Sequence, residues 1–288
     1  MYVKGLNRPT FELLYGMKTT FPLGVLVPNG NVVFIPYNNS NVGLFNPLTY
    51  IYSNIEVGAS SGSRFQGGVL SATGNVIMIP RDSANIGVFN PTTLTMSNVG
   101  PIYGGGGALF GGGVLLPNGN VVMAPLSGTA NIGMFNPATS VFTNVGPIKS
   151  SGALEGGTVL APNGNVVFIP FTSGGNVVVY NPAVVTSPLT TGISNIQIGV
   201  NGTFTNSVLL PSGNIVCVPG TSGNIGMFDP VTLTYSNAAR CGASFNAATL
   251  IPDGRVVFMP SGSANVGVLN TMVPASREFC LSPFFNKY

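Results

Sequence analysis

The sequence repeats one twelve-residue pattern six times. Each copy has two apolar segments joined by a short turn, as in VLVPNGNVVFIP, and each copy ends in proline. The copies are Val25–Pro36, Val69–Pro80, Val114–Pro125, Val159–Pro170, Val208–Pro219 and Thr249–Pro260. Their turn glycines, Gly30, Gly74, Gly119, Gly164, Gly213 and Gly254, are 44, 45, 45, 49 and 41 residues apart. A regular period of this length indicates stacked copies of one supersecondary unit.

Each copy predicts a β-hairpin. The turns read Asn-Gly, Thr-Gly, Ser-Gly or Asp-Gly, and glycine supplies the positive φ that tight hairpin turns require. A second hairpin follows, as in Asn131–Asn144 and Asn224–Asn237, where Asn-Pro or Asp-Pro begins the turn. Proline has no N–H to donate, so the terminal proline of each copy predicts the end of the second strand. Two hairpins give four strands per repeat.

Both faces of these predicted strands are apolar, which favours sheets packed face to face. We therefore predict an all-β fold, a six-bladed β-propeller with four-stranded antiparallel blades. A straight β-solenoid is the competing architecture, but its coils are usually shorter. One domain is predicted over residues 1–288, with a closing or arm segment at 1–20. Its blades are predicted at approximately 21–64, 65–109, 110–154, 155–203, 204–244 and 245–288.

The sixth repeat lacks the Asn-Pro turn and runs Leu269-Asn270-Thr271 instead. Its fourth strand must then come from residues 277–285 or from residues 11–15, and the two termini are expected within one blade of each other. A ring left open would expose strand edges to aggregation.

The second hairpins resemble those of the kelch and galactose-oxidase-like propellers. The matching tripeptides begin at Phe45, Phe89, Phe135, Tyr180 and Phe228. The family's diglycine is replaced by Ile-Pro, Ala-Pro, Val-Pro or Met-Pro, and its tryptophan is absent. The resemblance implies that the first strand of each blade lines a central channel and that the loops at one end bind partners. The Asn-rich repeats also resemble those of large DNA virus proteins.

Composition narrows the possible partners. Only 6% of residues are charged, and the net charge of +3 is not clustered, so nucleic acid is not predicted as a partner. Apolar segments are too short to span a membrane. Lys4, Arg8, Glu12 and Lys18 interrupt any classical signal peptide, so a cytoplasmic or virion-associated location is expected. Three cysteines without a metal-site spacing predict neither cofactor nor disulfide framework.

A first set of candidate residues lies nine positions before each turn glycine. These residues are Phe21, Phe65, Phe110, Glu155, Phe204 and Phe245. The aromatic rings could wedge between adjacent blades, or the five phenylalanines could form a collar at the channel mouth that Glu155 interrupts.

A second set consists of charged residues on the predicted binding loops. The set is Arg64, Arg81, Asp82, Lys149, Glu155 and Arg240, with Lys18 nearby. Arginine clusters of this kind bind carboxylates, so the loops are predicted to bind an acidic peptide or a carbohydrate. The alternative is that these charges only keep the protein soluble.

Catalysis is not predicted. The chain contains no histidine, which excludes Ser-His-Asp and Cys-His nucleophilic schemes and the copper chemistry of galactose oxidase. Asp82 and Glu155 are the only glycosidase carboxyl pair to consider, and they belong to different blades. A sialidase-like glycosidase, with Arg64, Arg81 and Arg240 as its arginine cluster, is a remote alternative. We therefore predict a structural or protein-interaction module, associated with a virion or capsid, or alternatively a propeller that binds a ligand.

Overall fold

The computed structural model describes residues 23–37, 40–57, 65–100, 109–126, 131–145, 154, 157–184, 192–261 and 265–271. These residues form six antiparallel sheets, of which five have four strands and one has three. The chain is an all-β, six-bladed propeller, as the repeat predicted.

The blades follow the repeats in chain order. Blades 1 to 3 contain β1 (Gly24–Leu26), β2 (Val32–Phe34), β3 (Asn41–Asn46) and β4 (Ile51–Glu56); β5 (Phe65–Leu70), β6 (Val76–Pro80), β7 (Ile86–Asn90) and β8 (Thr95–Val99); and β9 (Phe110–Leu115), β10 (Val121–Pro125), β11 (Ile132–Asn136) and β12 (Val141–Val145). Blades 4 to 6 contain β13 (Thr158–Leu160), β14 (Val166–Phe168), β15 (Asn176–Tyr180) and β16 (Ile193–Gln197); β17 (Phe204–Leu209), β18 (Ile215–Pro219), β19 (Asn224–Asp229) and β20 (Thr234–Arg240); and β21 (Phe245–Leu250), β22 (Arg255–Pro260) and β23 (Gly267–Asn270).

The first strands of successive blades contact one another, from β1 with β5 to β17 with β21. They therefore surround the axis, and the fourth strand of each four-stranded blade is the outermost. Because the strands run antiparallel in the order one to four, the first and third connections of a blade lie at one end of the disc. We call this the turn end. The second connections and the links between blades lie at the opposite end, the loop end.

The turn glycines have the backbone conformation that the sequence predicts. All six first-hairpin glycines have φ between 83° and 89°, where a side chain is disfavoured. In the Asn-Gly turns of blades 1, 3 and 4 the asparagine side chain also accepts a backbone hydrogen bond, as from Asn120 N to Asn118 Oδ1 at 3.0 Å. The hairpin interpretation is confirmed in every repeat.

Apolar clusters lie between successive blades. One cluster joins Val33 and Ile35 of blade 1 to Phe65 and Phe89 of blade 2, and comparable clusters join blades 2 to 3, 3 to 4, 4 to 5 and 5 to 6. The second strands of blades 2 to 5 are buried on both faces for this reason. Burying apolar area on both sides of these blades stabilises the ring by about 25 cal/mol per Å².

The contact between blades 6 and 1 differs from these five within the described residues. Met259 is 49% exposed, whereas its counterparts Ile35, Ile79, Ala124, Ile169 and Val218 are at most 1% exposed. Val266 is 48% exposed, whereas its counterparts Val42, Ile86, Ile132, Val177 and Ile225 are fully buried. On the facing side of blade 1, Leu26 is 65% exposed. We call these apolar faces of blades 6 and 1 the seam.

Candidate binding faces

The predicted phenylalanine set lies in the cores between blades. Phe65, Phe110, Phe204 and Phe245 are each at most 1% exposed, and each packs into the cluster that joins its blade to the preceding one. These four positions follow the wedge interpretation, because side chains buried to this degree do not line an open mouth. Phe21 lies outside the described residues.

Blade 4 departs from the nine-residue count. Leu154, not Glu155, takes the equivalent position there: it is fully buried in the cluster between blades 3 and 4. Its N–H donates to Pro125 O at 3.1 Å, as the N–H of Phe65 donates to Pro36 O at 3.2 Å. Leu154 is therefore the counterpart of the buried phenylalanines in blade 4, and Glu155 itself lies outside the described residues. The physical reason is that an apolar side chain fills this buried position, where an unpaired carboxylate would be costly.

Arg81 and Asp82 lie at the loop end, directly after β6. The Arg81 guanidinium sits over the ring of Tyr37 from blade 1, 5.8 Å from its centroid. Its Nε is 4.0 Å from Asp82 Oδ2, and both side chains are about one-third exposed. The Arg81 carbonyl accepts a hydrogen bond from Leu109 N of blade 3 at 2.6 Å. Arg81 is thus held between three blades by backbone and ring contacts while its charge faces solvent.

Arg240 is the last residue of β20, the outermost strand of blade 5, and is exposed. Blades 2 and 5 are three positions apart in a ring of six, so Arg81 and Arg240 lie on opposite sides of the disc. These two arginines are not brought together as one fork. Arg64, Lys149, Glu155 and Lys18 lie outside the described residues.

Hydroxyl groups from blades 4 and 5 form a network at the loop end that the sequence analysis missed. The Thr203 and Thr221 hydroxyls are 3.2 Å apart, and Gly202 N donates to Ser173 Oγ at 3.0 Å. Phe171, two residues before Ser173 in the sequence, is 39% exposed. The Ser, Thr and Gly enrichment of these loops is the signal that could have found them.

Two buried or half-buried titratable side chains of blade 5 have shifted pKa values. Burial raises the pKa of the Cys217 thiol, so this thiol is protonated and inert at neutral pH. Burial also raises the pKa of Tyr235, with a smaller contribution from Cys217. Within the described part of the chain, no group of three His, Cys, Asp or Glu side chains could hold a metal ion. No helix of the described ranges has the length and apolarity needed to cross a bilayer.

Exposed apolar side chains mark the turn end, which the sequence analysis did not consider as a binding face. The described residues expose twelve large hydrophobic side chains. Seven of them lie at the second hairpin turns of blades 1 to 5: Leu48, Tyr50, Ile51, Leu94, Val141, Val184 and Val231. We call these seven residues the turn rim. The signal was available in the sequence, since the variable positions after Asn-Pro are apolar in several repeats.

Comparison with known proteins supports the fold and leaves the family open. No family model and no curated protein sequence matches the chain, so the kelch-like resemblance is not confirmed. Among solved structures, a catalytically inactive histidine-to-alanine variant of virginiamycin B lyase from Staphylococcus aureus, with quinupristin, has a TM-score of 0.70 at 14% identity and covers 90% of this chain and 83% of its own. The similar structures are propellers, and the likeness establishes the fold.

Two further structural neighbours are proteins of other kinds. Kuenenia stuttgartiensis hydrazine synthase has a TM-score of 0.61 at 11% identity, with 90% of this chain and 80% of that chain covered. YCF48 bound to D1 peptide has a TM-score of 0.60 at 12% identity, with 83% and 74% covered. Enzymes and a peptide-bound protein thus share this architecture, so activity has to be argued from the residues themselves.

Proposed function

We propose that this propeller is a non-enzymatic module that binds protein partners within an assembly. The observation that carries the proposal is the complete absence of histidine from the sequence. Replacement of one histidine by alanine gives the inactive form of the similar virginiamycin B lyase, and this chain has no residue of that type to supply. A chain without histidine cannot place one at the position that the lyase requires.

The placement of carboxylates supports the same proposal. The described carboxylates are Glu56, Asp82, Asp229 and Asp253, and each belongs to a different blade. Asp229 accepts hydrogen bonds from the Val231 and Thr232 amides, and Asp253 pairs with Arg255. These acids have structural partners within their own turns. A glycosidase needs two carboxyl groups that converge on one bond.

The loop end is the contact surface that we propose for acidic partners. Arg81 is positioned by the Tyr37 ring and by the Leu109 amide, which lowers the entropy that its guanidinium loses on binding a carboxylate. YCF48 bound to D1 peptide shows that a propeller of this architecture accommodates a peptide. An acidic protein segment fits the charge of Arg81, and a virion or capsid is the assembly that we propose for it.

Copurification tests the proposal first. We expect the protein to copurify with a particle or complex from its native source, and recovery only as a free protein would contradict assembly.

The double variant Arg64→Ala/Arg81→Ala should weaken binding to the purified partner by about 1–3 kcal/mol and leave the fold unchanged. Arg255→Ala is the matched control, because Arg255 is paired with Asp253 at the turn end. Equal affinity of the double variant and wild type at matched ionic strength would show that the loop arginines are not the contact.

A carbohydrate ligand is the second candidate function. It is favoured by the exposed Phe171 ring, two residues before Ser173, and by the hydroxyl groups of Ser173, Thr203 and Thr221 on the loop end, since aromatic rings and hydroxyls together suit sugar recognition. The protein would then be free and soluble without partners, and a glycan-binding screen with a Phe171→Ala variant as control would detect the ligand.

A further inference from the structure

The turn rim is unusual for a surface built to face water. Leu48 is 87% exposed, Val231 is 75% exposed and Tyr50 is 62% exposed. Every described second-hairpin turn, from blade 1 to blade 5, contributes at least one such side chain. The exposed apolar residues are therefore not scattered singly, which would need no explanation, but recur at one end of the disc.

Two rim residues are also retained at a backbone cost. Tyr50 and Leu94 occupy the same turn position and have φ of 58° and 59°. An L-residue with a side chain pays about 1–2 kcal/mol in this region, and glycine or asparagine is the usual occupant. Ser140 and Leu233 hold the same turn position with φ of 55° and 57°, so the left-handed conformation belongs to this turn type. Leu233 packs on the core of the monomer, whereas Tyr50 is 62% and Leu94 40% exposed, where an apolar side chain contributes little to the stability of the monomer.

The turn end carries almost no charge. Its described charged side chains are Asp229, Asp253 and Arg255, and the last two form an ion pair with each other. Depletion of charged residues is a property of the buried centre of protein interfaces. The face can thus meet another copy of itself without strong like-charge repulsion.

The geometry favours a partner as wide as the disc. The rim turns come from five blades around the axis, so a short peptide could cover only one or two of them. A second copy of the chain has the required width. A stable interface buries about 800 Å² on each partner, and a contact of that size needs exposed apolar side chains spread over several blades, as the seven of the turn rim are.

We propose that two copies of this propeller associate turn end to turn end, through the turn rim, in a two-fold symmetric dimer. Such a contact is isologous, because the same patch serves on both copies. The dimer does not depend on the proposed function of the loop end, which stays exposed on both outer faces. An assembly partner could then be bound twice by one dimer.

Sedimentation velocity over a concentration series tests this inference. We expect a dimer for the wild-type chain and a monomer for Leu48→Ser/Val231→Ser. The dissociation constant of the wild-type dimer should change little with salt concentration, because the contact is apolar and has few charges to screen. The dimer dissociation constant of the double variant should rise at least tenfold. Phe171→Ser is the matched control, since it removes an exposed apolar side chain from the loop end.

Each other outcome overturns the inference. A wild-type chain that stays monomeric at tens of micromolar, the range of a weak interface, contradicts it. A dimer that survives Leu48→Ser/Val231→Ser but dissociates in Leu26→Ser would place the contact at the seam. Circular dichroism confirms that each variant is folded. The monomeric Leu48→Ser/Val231→Ser variant should still bind the acidic partner, because that contact is proposed at the loop end. Loss of the dimer therefore tests this inference, and loss of partner binding tests the proposed function.

Discussion

Blade 3 contains three glycines that separate backbone strain from packing. Gly119 has φ of 84° and a Cβ added there would meet no atom within 4 Å. Gly133 has no such φ, but its Cβ would lie 2.8 Å from the Phe110 ring. Gly112 has no such φ, and a Cβ added there would meet no atom within 4 Å. The three sites therefore isolate one cause each.

We expect Gly119→Ala to lower the free energy of unfolding by about 1–2 kcal/mol, because the only penalty is a left-handed backbone with a side chain. Gly119→Val should cost more, about 2–3 kcal/mol, because β-branched residues are strongly disfavoured at positive φ. Gly119→Asn should cost less than Gly119→Ala, since asparagine tolerates this region.

Gly133→Ala should cost about 1–3 kcal/mol through overpacking against buried aromatic rings. Gly112→Ala is the matched control and should be nearly neutral. Urea denaturation measures all of these changes as shifts of the midpoint at constant slope. If Gly119→Ala proves as stable as Gly112→Ala, the backbone argument for the hairpin turn is wrong. If Gly133→Ala is neutral, the ring of Phe110 is free to move and the packing argument fails there.

Three further expectations follow from the turns and the seam. Deleting residues 1–16 should lower Tm, because residues 11–15 are one predicted source of the fourth strand that blade 6 lacks among the described residues; an unchanged Tm would make N-terminal participation wrong. Leu94→Asn should raise the free energy of unfolding by up to about 1 kcal/mol, because it relieves a strained position, and a loss of stability in urea would mean that the leucine packs usefully in the monomer. Backbone hydrogen bonds from Val231 and Thr232 lower the pKa of Asp229 below its ordinary value of 3.8, so its contribution to stability is present above that pH and lost as the pH falls through the lowered pKa. Asp229→Asn, which copies the residue of the other four turns, should reduce the acid sensitivity of the urea midpoint, and an identical pH profile would show that Asp229 is not linked to folding.

Local chemistry explains why so much of the fold could be predicted. A glycine in a two-strand turn, a proline at a strand end and an Asn-Pro turn each act within a few residues, so their conformations did not depend on the rest of the chain. Asn46 and Asp229 illustrate this: each accepts hydrogen bonds from the second and third amides that follow it. The turn glycine and the terminal proline occur six times and the Asn-Pro or Asp-Pro turn five times, and the sixfold repetition determined the number of blades.

The candidate site was less predictable because burial depends on neighbouring blades. A count of nine residues selected Glu155, which lies outside the described residues, whereas Leu154 fills the core between blades 3 and 4, because a position buried between two blades favours an apolar side chain. The sequence analysis assigned Arg81 and Arg240 to one cluster because both lie on loops of the predicted binding face. The two residues are far apart in the structure because blades 2 and 5 lie on opposite sides of the six-bladed ring.

The sequence by itself determined the hairpins, their turn glycines and the six-bladed repeat, because those features depend on contacts between residues close in the chain. Only the tertiary structure decided which copies of the repeat have their apolar face covered by a neighbouring blade. Ile35 and Met259 occupy equivalent positions of one motif, yet the first is fully buried and the second is 49% exposed. The physical reason is that the solvent exposure of a strand face is a property of the surface packed against it, and at the seam the described residues leave both faces uncovered.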